Sequence, residues 1–144
     1  ISKVAISNKN FSSFLNSIIC KNNKLLIGIS GGIDSMVLLD LCSKNFPKNH
    51  LHGIHVNHNL SPQAYNYESF VKNKFIEKNI PLIVKSEIRN NIKGESMEMW
   101  GRRIRYENYF QILYDLKFDY VVTAHHANDN IETILMNIQH RMLY

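Results

Sequence analysis

At 144 residues and 44% hydrophobic content, the chain is long enough to bury a core, and its apolar residues are spread too evenly for disorder. No apolar run approaches the roughly 20 residues needed to span a membrane, and residues 1–10 lack the charged start and apolar stretch of a signal peptide, so the chain reads as cytoplasmic. A formal charge of +5 favours phosphate-rich partners such as nucleic acid.

Taken in chain order, apolar residues first recur at helical spacing at Phe11, Phe14, Leu15, Ile18 and Ile19. Residues 24–29 read as a strand that runs into Ser30-Gly31-Gly32, and residues 34–44 as a helix. A second strand is predicted at 51–56, a helix at 65–78 and a short strand at 81–85. A polar loop leads to a long helix from 95 to about 116, with Tyr106, Tyr109, Phe110, Leu113 and Leu116 as its apolar stripe. Residues 120–124 read as a fourth strand. From Asn128 a last helix is expected, because Ile131, Ile134, Leu135, Ile138 and Met142 recur at i, i+3, i+4, i+7 and i+11. Cys20 and Cys42 fall inside apolar helical patterns and form no CxxC pair, so they read as buried thiols rather than a zinc or redox site.

Alternating strands and helices predict an α/β fold with a parallel sheet and helices on both faces. Ligands of such sheets bind beyond the carboxyl ends of the strands. The informative polar residues follow strand ends, so residues 30–35, 55–58 and 125–132 are expected on one rim. Ser30-Gly31-Gly32-Ile33-Asp34-Ser35 puts two glycines between a strand and a helix. Glycines admit positive φ and close backbone approach, and a helix start offers unpaired N–H groups to an anion. The alternative is a tight turn with Asp34 as the cap. No GK[ST] is present, so this is not a Walker A loop.

Glu98, Arg102 and Arg105 share one helical face, which reads either as a solvated ion-pair face or as a phosphate contact. His55 reads as a core histidine at a strand end, whereas His58 lies in a polar loop. Asp129 and Glu132 fall one turn apart at the predicted start of the last helix. There they would either bind a cation or stabilise the helix dipole.

The hexapeptide resembles the SGGxDS loop of the PP-loop ATP pyrophosphatases. His55-Val56-Asn57-His58-Asn59-Leu60-Ser61-Pro62 resembles the HVxHxLSP segment of one branch, the tRNA(Ile)-lysidine synthetases. Glu98, Arg102, Arg105 and Tyr106 match ExxxRxxRY there, and His125, Asp129, Glu132 and Thr133 match AHHxDDQxET. Asn128 and Asn130 depart from that last pattern; the first removes a charge.

The resemblance implies a Rossmann-like PP-loop nucleotide-binding fold over residues 1–144, incomplete at its C-terminal end. It also implies an ATP-dependent ligation of free L-lysine to the wobble cytidine of tRNA(Ile) with a CAU anticodon, through an adenylated base. Ser30, Gly31, Gly32, Ile33, Asp34 and Ser35 would hold ATP, with Asp34 placing Mg²⁺, and Arg102, His125, Asp129 and Glu132 would serve the chemistry. A homodimer is compatible with it. The rival readings are a tRNA thiolase of the same superfamily and a non-catalytic nucleotide-binding remnant. The chain by itself is not expected to make lysidine, because its last strand would be left as an open edge.

Overall fold

A computed structural model describes residues 2–7, 13, 23–30, 32–59, 61–88, 93–127 and 130–137. Its elements run β1 (Ser2–Ser7), β2 (Leu25–Gly28), α1 (Ile33–Asn45), a 3₁₀ turn (Lys48–His50), β3 (Leu51–Asn57), α2 (Ala64–Lys78), β4 (Leu82–Ser86), α3 (Met97–Asp115), β5 (Tyr120–Ala127) and β6 (Asn130–Asn137). Among the described residues no helix is long and apolar enough to cross a membrane. Of the helix expected around Phe11 to Ile19, residue 13 is helical and the remainder lies outside the described residues, as does Cys20.

The strands form one sheet in the order β1-β6-β5-β2-β3-β4. β5, β2, β3 and β4 are parallel. A parallel strand covered on both faces must be apolar throughout, and every residue of β2 is buried. Because side chains alternate across a strand, β2 feeds two cores. Leu25, Ile27 and Ile29 pack with Leu38, Leu39 and Cys42 of α1 and with Val71 and Phe75 of α2. Leu26 packs on the other face with Tyr109, Ile112 and Leu113 of α3. Cys42 is buried as expected, and burial pushes its thiol pKa far up.

The expected last helix is instead β6. Its register with β5 runs from Tyr120↔Asn137 to Ala127↔Asn130. β1 then pairs antiparallel with β6, from Ser2↔Asn137 to Ser7↔Glu132. The apolar residues of this stretch satisfy a helical period, but Ile131, Thr133 and Ile134 are β-branched, a residue type that favours strands. Pairing on both sides also satisfies the backbone donors and acceptors of β6. The expectation of an open edge at β5 is overturned by the same pairing. Ile138 and Met142 lie outside the described residues.

Gly53, on the α2-facing side of β3, has no room for a side chain, because an added Cβ would run into the Phe75 ring, which is 1% exposed. Gly53→Ala should therefore lower the unfolding free energy by about 1–3 kcal/mol in urea denaturation. An unchanged midpoint would show that the ring does not lie over this glycine.

Candidate functional site

The chain crosses from β2 to β3 and β4 on one side, then returns to place β5 on the other side of β2. The reversal of direction lies at the carboxyl end of β2, where open α/β sheets bind ligands. Strand lengths deepen the position. Gly28 pairs with Ile54 and with Thr123, yet β3 continues to Asn57 and β5 to Ala127. The end of β2 is thus a notch between two taller strands, and the N-terminus of α1 begins in it.

That helix start has Gly32 as its N-cap, with no side chain closing it. Asp34 sits inside the first turn, so the capping alternative for Asp34 does not hold. By contrast, α3 is closed by its own Ser96, whose hydroxyl accepts from the Met99 N–H at 3.1 Å. In the notch, the Gly32 N–H donates to Ser30 Oγ at 3.3 Å and Ser35 Oγ donates to the Gly32 carbonyl at 2.8 Å. Ser30 is exposed and Ser35 buried.

Gly32 has φ −78° and ψ 169°, extended backbone that any residue adopts. An added Cβ would meet only Ser30 Oγ, at 3.7 Å. The glycine is therefore not required by a left-handed backbone, and what it contributes is the open approach to the helix start. Ile33 is 82% exposed and takes no part in the core. Gly31 lies outside the described residues.

β3 brings His55 and His58 to the same rim. His55 is 3% exposed and its Nδ1 lies 2.7 Å from the Ile29 carbonyl, the arrangement of a satisfied core histidine. The loop around His58 is pinned by two asparagines that the sequence reading passed over. Asn57 Oδ1 accepts from the Asn59 N–H at 2.9 Å, and Asn57 Nδ2 donates to Glu68 at 3.2 Å. Asn59 has φ 56° and donates to Ser86 Oγ at 2.8 Å and to the Glu87 carbonyl at 3.0 Å. Asn tolerates the left-handed region better than most residues, and that tolerance was the available signal.

Two clefts open on this rim. One, of about 130 Å³, is lined by Ser30, His55, Asn57 and His58. The other, of about 510 Å³, runs between α3 and β5 and is lined by His58, Glu98, Gly101, Arg102, Arg105 and Thr123. His58 lines both. A groove of about 580 Å³ between α1 and α2 is larger but touches none of the motif residues, so size does not select the site.

On α3, neither Arg102 nor Arg105 makes an ion pair with Glu98 or with any other described residue. Arg103 takes that structural role instead, bonded to Glu95 at 2.8 Å and to Glu107 at 3.0 Å. Arg102 lies over the Tyr106 ring, 5.4 Å from its centroid. The two arginines of the groove thus keep their charge available to an anion.

His125 and Glu132 are cross-strand partners in β5 and β6, and Ala124 is opposite Thr133. Glu132 thus lies in a strand rather than in the first turn of the expected helix. Residues 128 and 129 lie outside the described residues. Among the described residues, no three His, Cys, Asp or Glu side chains are grouped to hold a metal ion.

Burial holds His58 below the ordinary histidine value of 6.5, Arg105 and His55 add to that, and Glu87 opposes it. The unfolded chain then binds the proton more readily, so the contribution of His58 to stability is complete above 6.5 and is lost as pH falls through that value. His52, lowered by burial and by Lys24, acts in the same sense. His58→Gln should remove part of the stability loss between about pH 7.5 and about pH 5 in urea titrations. An identical loss in the variant would contradict the burial of this ring.

The PP-loop domain family model matches residues 4–143. A tRNA(Ile)-lysidine synthase of Petrotoga mobilis is 34% identical over 125 residues, 82% of this chain and 40% of that protein. One from Clostridium acetobutylicum is 36% identical over 129 residues, 85% of this chain and 28% of that protein. Among solved structures, a U34-tRNA thiolase from Methanococcus maripaludis, with its [4Fe-4S] cluster, superposes with a TM-score of 0.69 at 18% identity, over 84% of this chain and 46% of that one. The chain thus spans between about a quarter and two fifths of these two curated relatives.

Proposed function

This chain belongs to the PP-loop domain family, and on that premise we propose that it is the nucleotide-binding part of an enzyme that joins lysine to the wobble cytidine of tRNA(Ile) bearing a CAU anticodon. The observation that carries the reading is the uncapped start of α1, set with Gly32, Ser30 and Ser35 in the notch at the end of β2. Backbone N–H groups there suit the charge of a departing pyrophosphate, and such preorganised donors stabilise phosphate charge without reorganising. Mg²⁺, held by Asp34 and the phosphates, supplies further charge neutralisation when bound.

In the proposed reaction the cytidine O2 attacks the α-phosphorus of ATP and pyrophosphate leaves. The lysine ε-amine then attacks C2 of the base, loses a proton, and AMP leaves. The chain's own part is largely positioning and electrostatic. Arg102 and Arg105 hold phosphate charge in the groove. Asp129 and Glu132 receive the ammonium group, and His125 stands opposite Glu132. The relatives named as lysidine synthases support this choice over the thiolase. So does the composition, because two cysteines without a CxxC pair do not make an iron–sulfur ligand set.

Two measurements test the reading. Gly32→Val places branched methyls at the helix start, where the backbone accepts any residue, so the melting temperature should hold. Its affinity for ATP-Mg²⁺ in calorimetry should drop by more than about tenfold. Undiminished binding in the folded variant would remove the phosphate cradle. In the intact enzyme, Glu132→Gln should leave ATP binding in place but cripple transfer of labelled lysine to tRNA(Ile). Transfer at the wild-type rate would remove Glu132 from the amine site.

A further inference from the structure

The ring of His58 is held more firmly than a rim loop requires. Asn57 and Asn59 pin the chain on either side of it. Trp100, 1% exposed, meets it edge-on at a centroid distance of 5.8 Å. Its two nitrogens differ in surroundings. Nδ1 is buried without a hydrogen-bond partner, and so is Nε1 of Trp100. Among the described residues a proton on Nδ1 would find no acceptor, so the tautomer that buries no unpaired donor there has its proton on Nε2.

The Nε2 edge faces Gly101. A Cβ placed on Gly101 would have as its nearest neighbours Cε1 and Nε2 of His58, both at 3.9 Å. That is ordinary contact, so packing does not demand a glycine at this helical position, where glycine is unfavourable relative to alanine. What the missing side chain leaves is clear space in front of Nε2, at the meeting point of the two clefts. The charged and titratable groups around the ring are Arg105 from α3, His55 from β3 and Glu87 beyond β4, with Glu98 and Arg102 sharing the groove.

We propose that His58 is a ligand-contacting residue, its Nε2–H donating to an oxygen of the adenylate half of bound ATP where the phosphate notch opens into the α3–β5 groove. The inference rests on the nucleotide reading of the notch. An imidazole kept uncharged in this position orients an oxygen without competing with the arginines for the phosphates, and burial keeps it so at neutral pH.

The test separates the two halves of the nucleotide, using the intact protein with ATP-Mg²⁺ and with inorganic pyrophosphate-Mg²⁺. His58→Phe preserves the ring contact with Trp100 but removes the donor. It should weaken ATP binding about tenfold and leave pyrophosphate binding unchanged. His58→Gln, which restores an N–H, should recover most of the loss. Gly101→Leu keeps His58 and fills the space before it, so it should also lose ATP but not pyrophosphate, whereas Gly101→Ala should bind both as wild type does. Unchanged ATP affinity in folded His58→Phe would overturn the proposal. Equal loss of both ligands would also overturn it, because His58 would then only shape the notch. Wild-type protein that binds neither ligand would instead refute the cradle itself, and this contact with it.

Discussion

Two aromatic rings pack where the central strands have no side chain, and the distance between sheet and helices follows from them. Tyr109 of α3 lies over Gly28 of β2, where an added Cβ would come within 2.7 Å of the ring. Phe75 of α2 lies over Gly53 of β3 on the opposite face. Interiors are close-packed, so even one methyl group between ring and strand would push the layers apart. The Tyr109 hydroxyl, kept protonated as burial raises its pKa, shares a hydrogen bond with Thr123. α3 is therefore tied to β2 and to β5 close to the rim. Arg105 and Arg102, one and two turns before Tyr109 on the same helix, inherit their place in the groove from that attachment.

The electrostatics of the rim depend on which groups are left unpaired. Arg103 is committed to Glu95 and Glu107, which hold its guanidinium pKa above the ordinary value and brace the start of α3. Surface pairs of this kind contribute little to stability. They do engage Glu95 and Glu107, which then do not compete for the groove arginines. The two helix starts divide in a similar way. α3 is closed by Ser96, while α1 lacks a capping side chain, so the positive end of its dipole faces the notch.

The depth of the notch comes from unequal strands. β2 is four residues long, β3 seven and β5 eight. A short central strand leaves room for a loop and a helix start between its taller neighbours. The loop after β3 is pinned by hydrogen bonds of Asn57 and Asn59, and His58 lines both clefts. β6 and β1 lie on the far side of β5 and cover the edge it would otherwise expose.

Much of this architecture is local in origin and was legible in the residues. A strand buried on both faces must be a continuous apolar run, so β2 and β3 announce themselves. The passage from β2 into α1 at residues 30–35 was legible for a related reason, because two glycines and a helix start stand consecutively in the chain. His55 was legible as a core histidine for the same reason. The short apolar stretch from Ile131 to Leu135 was not, because it satisfies both a helical and a strand period. What decided it was pairing with β5 on one side and with β1, from the opposite end of the chain, on the other. The roles of Gly28, Gly53 and Gly101 were equally hidden, since a glycine carries no sign of the ring or space that lies over it. Local sequence determined most of the regular segments and where the chain passes from β2 into α1. Only tertiary packing decided which strands pair, which rings cover the strand glycines and which histidine faces the clefts, because each of those depends on residues far apart in the chain.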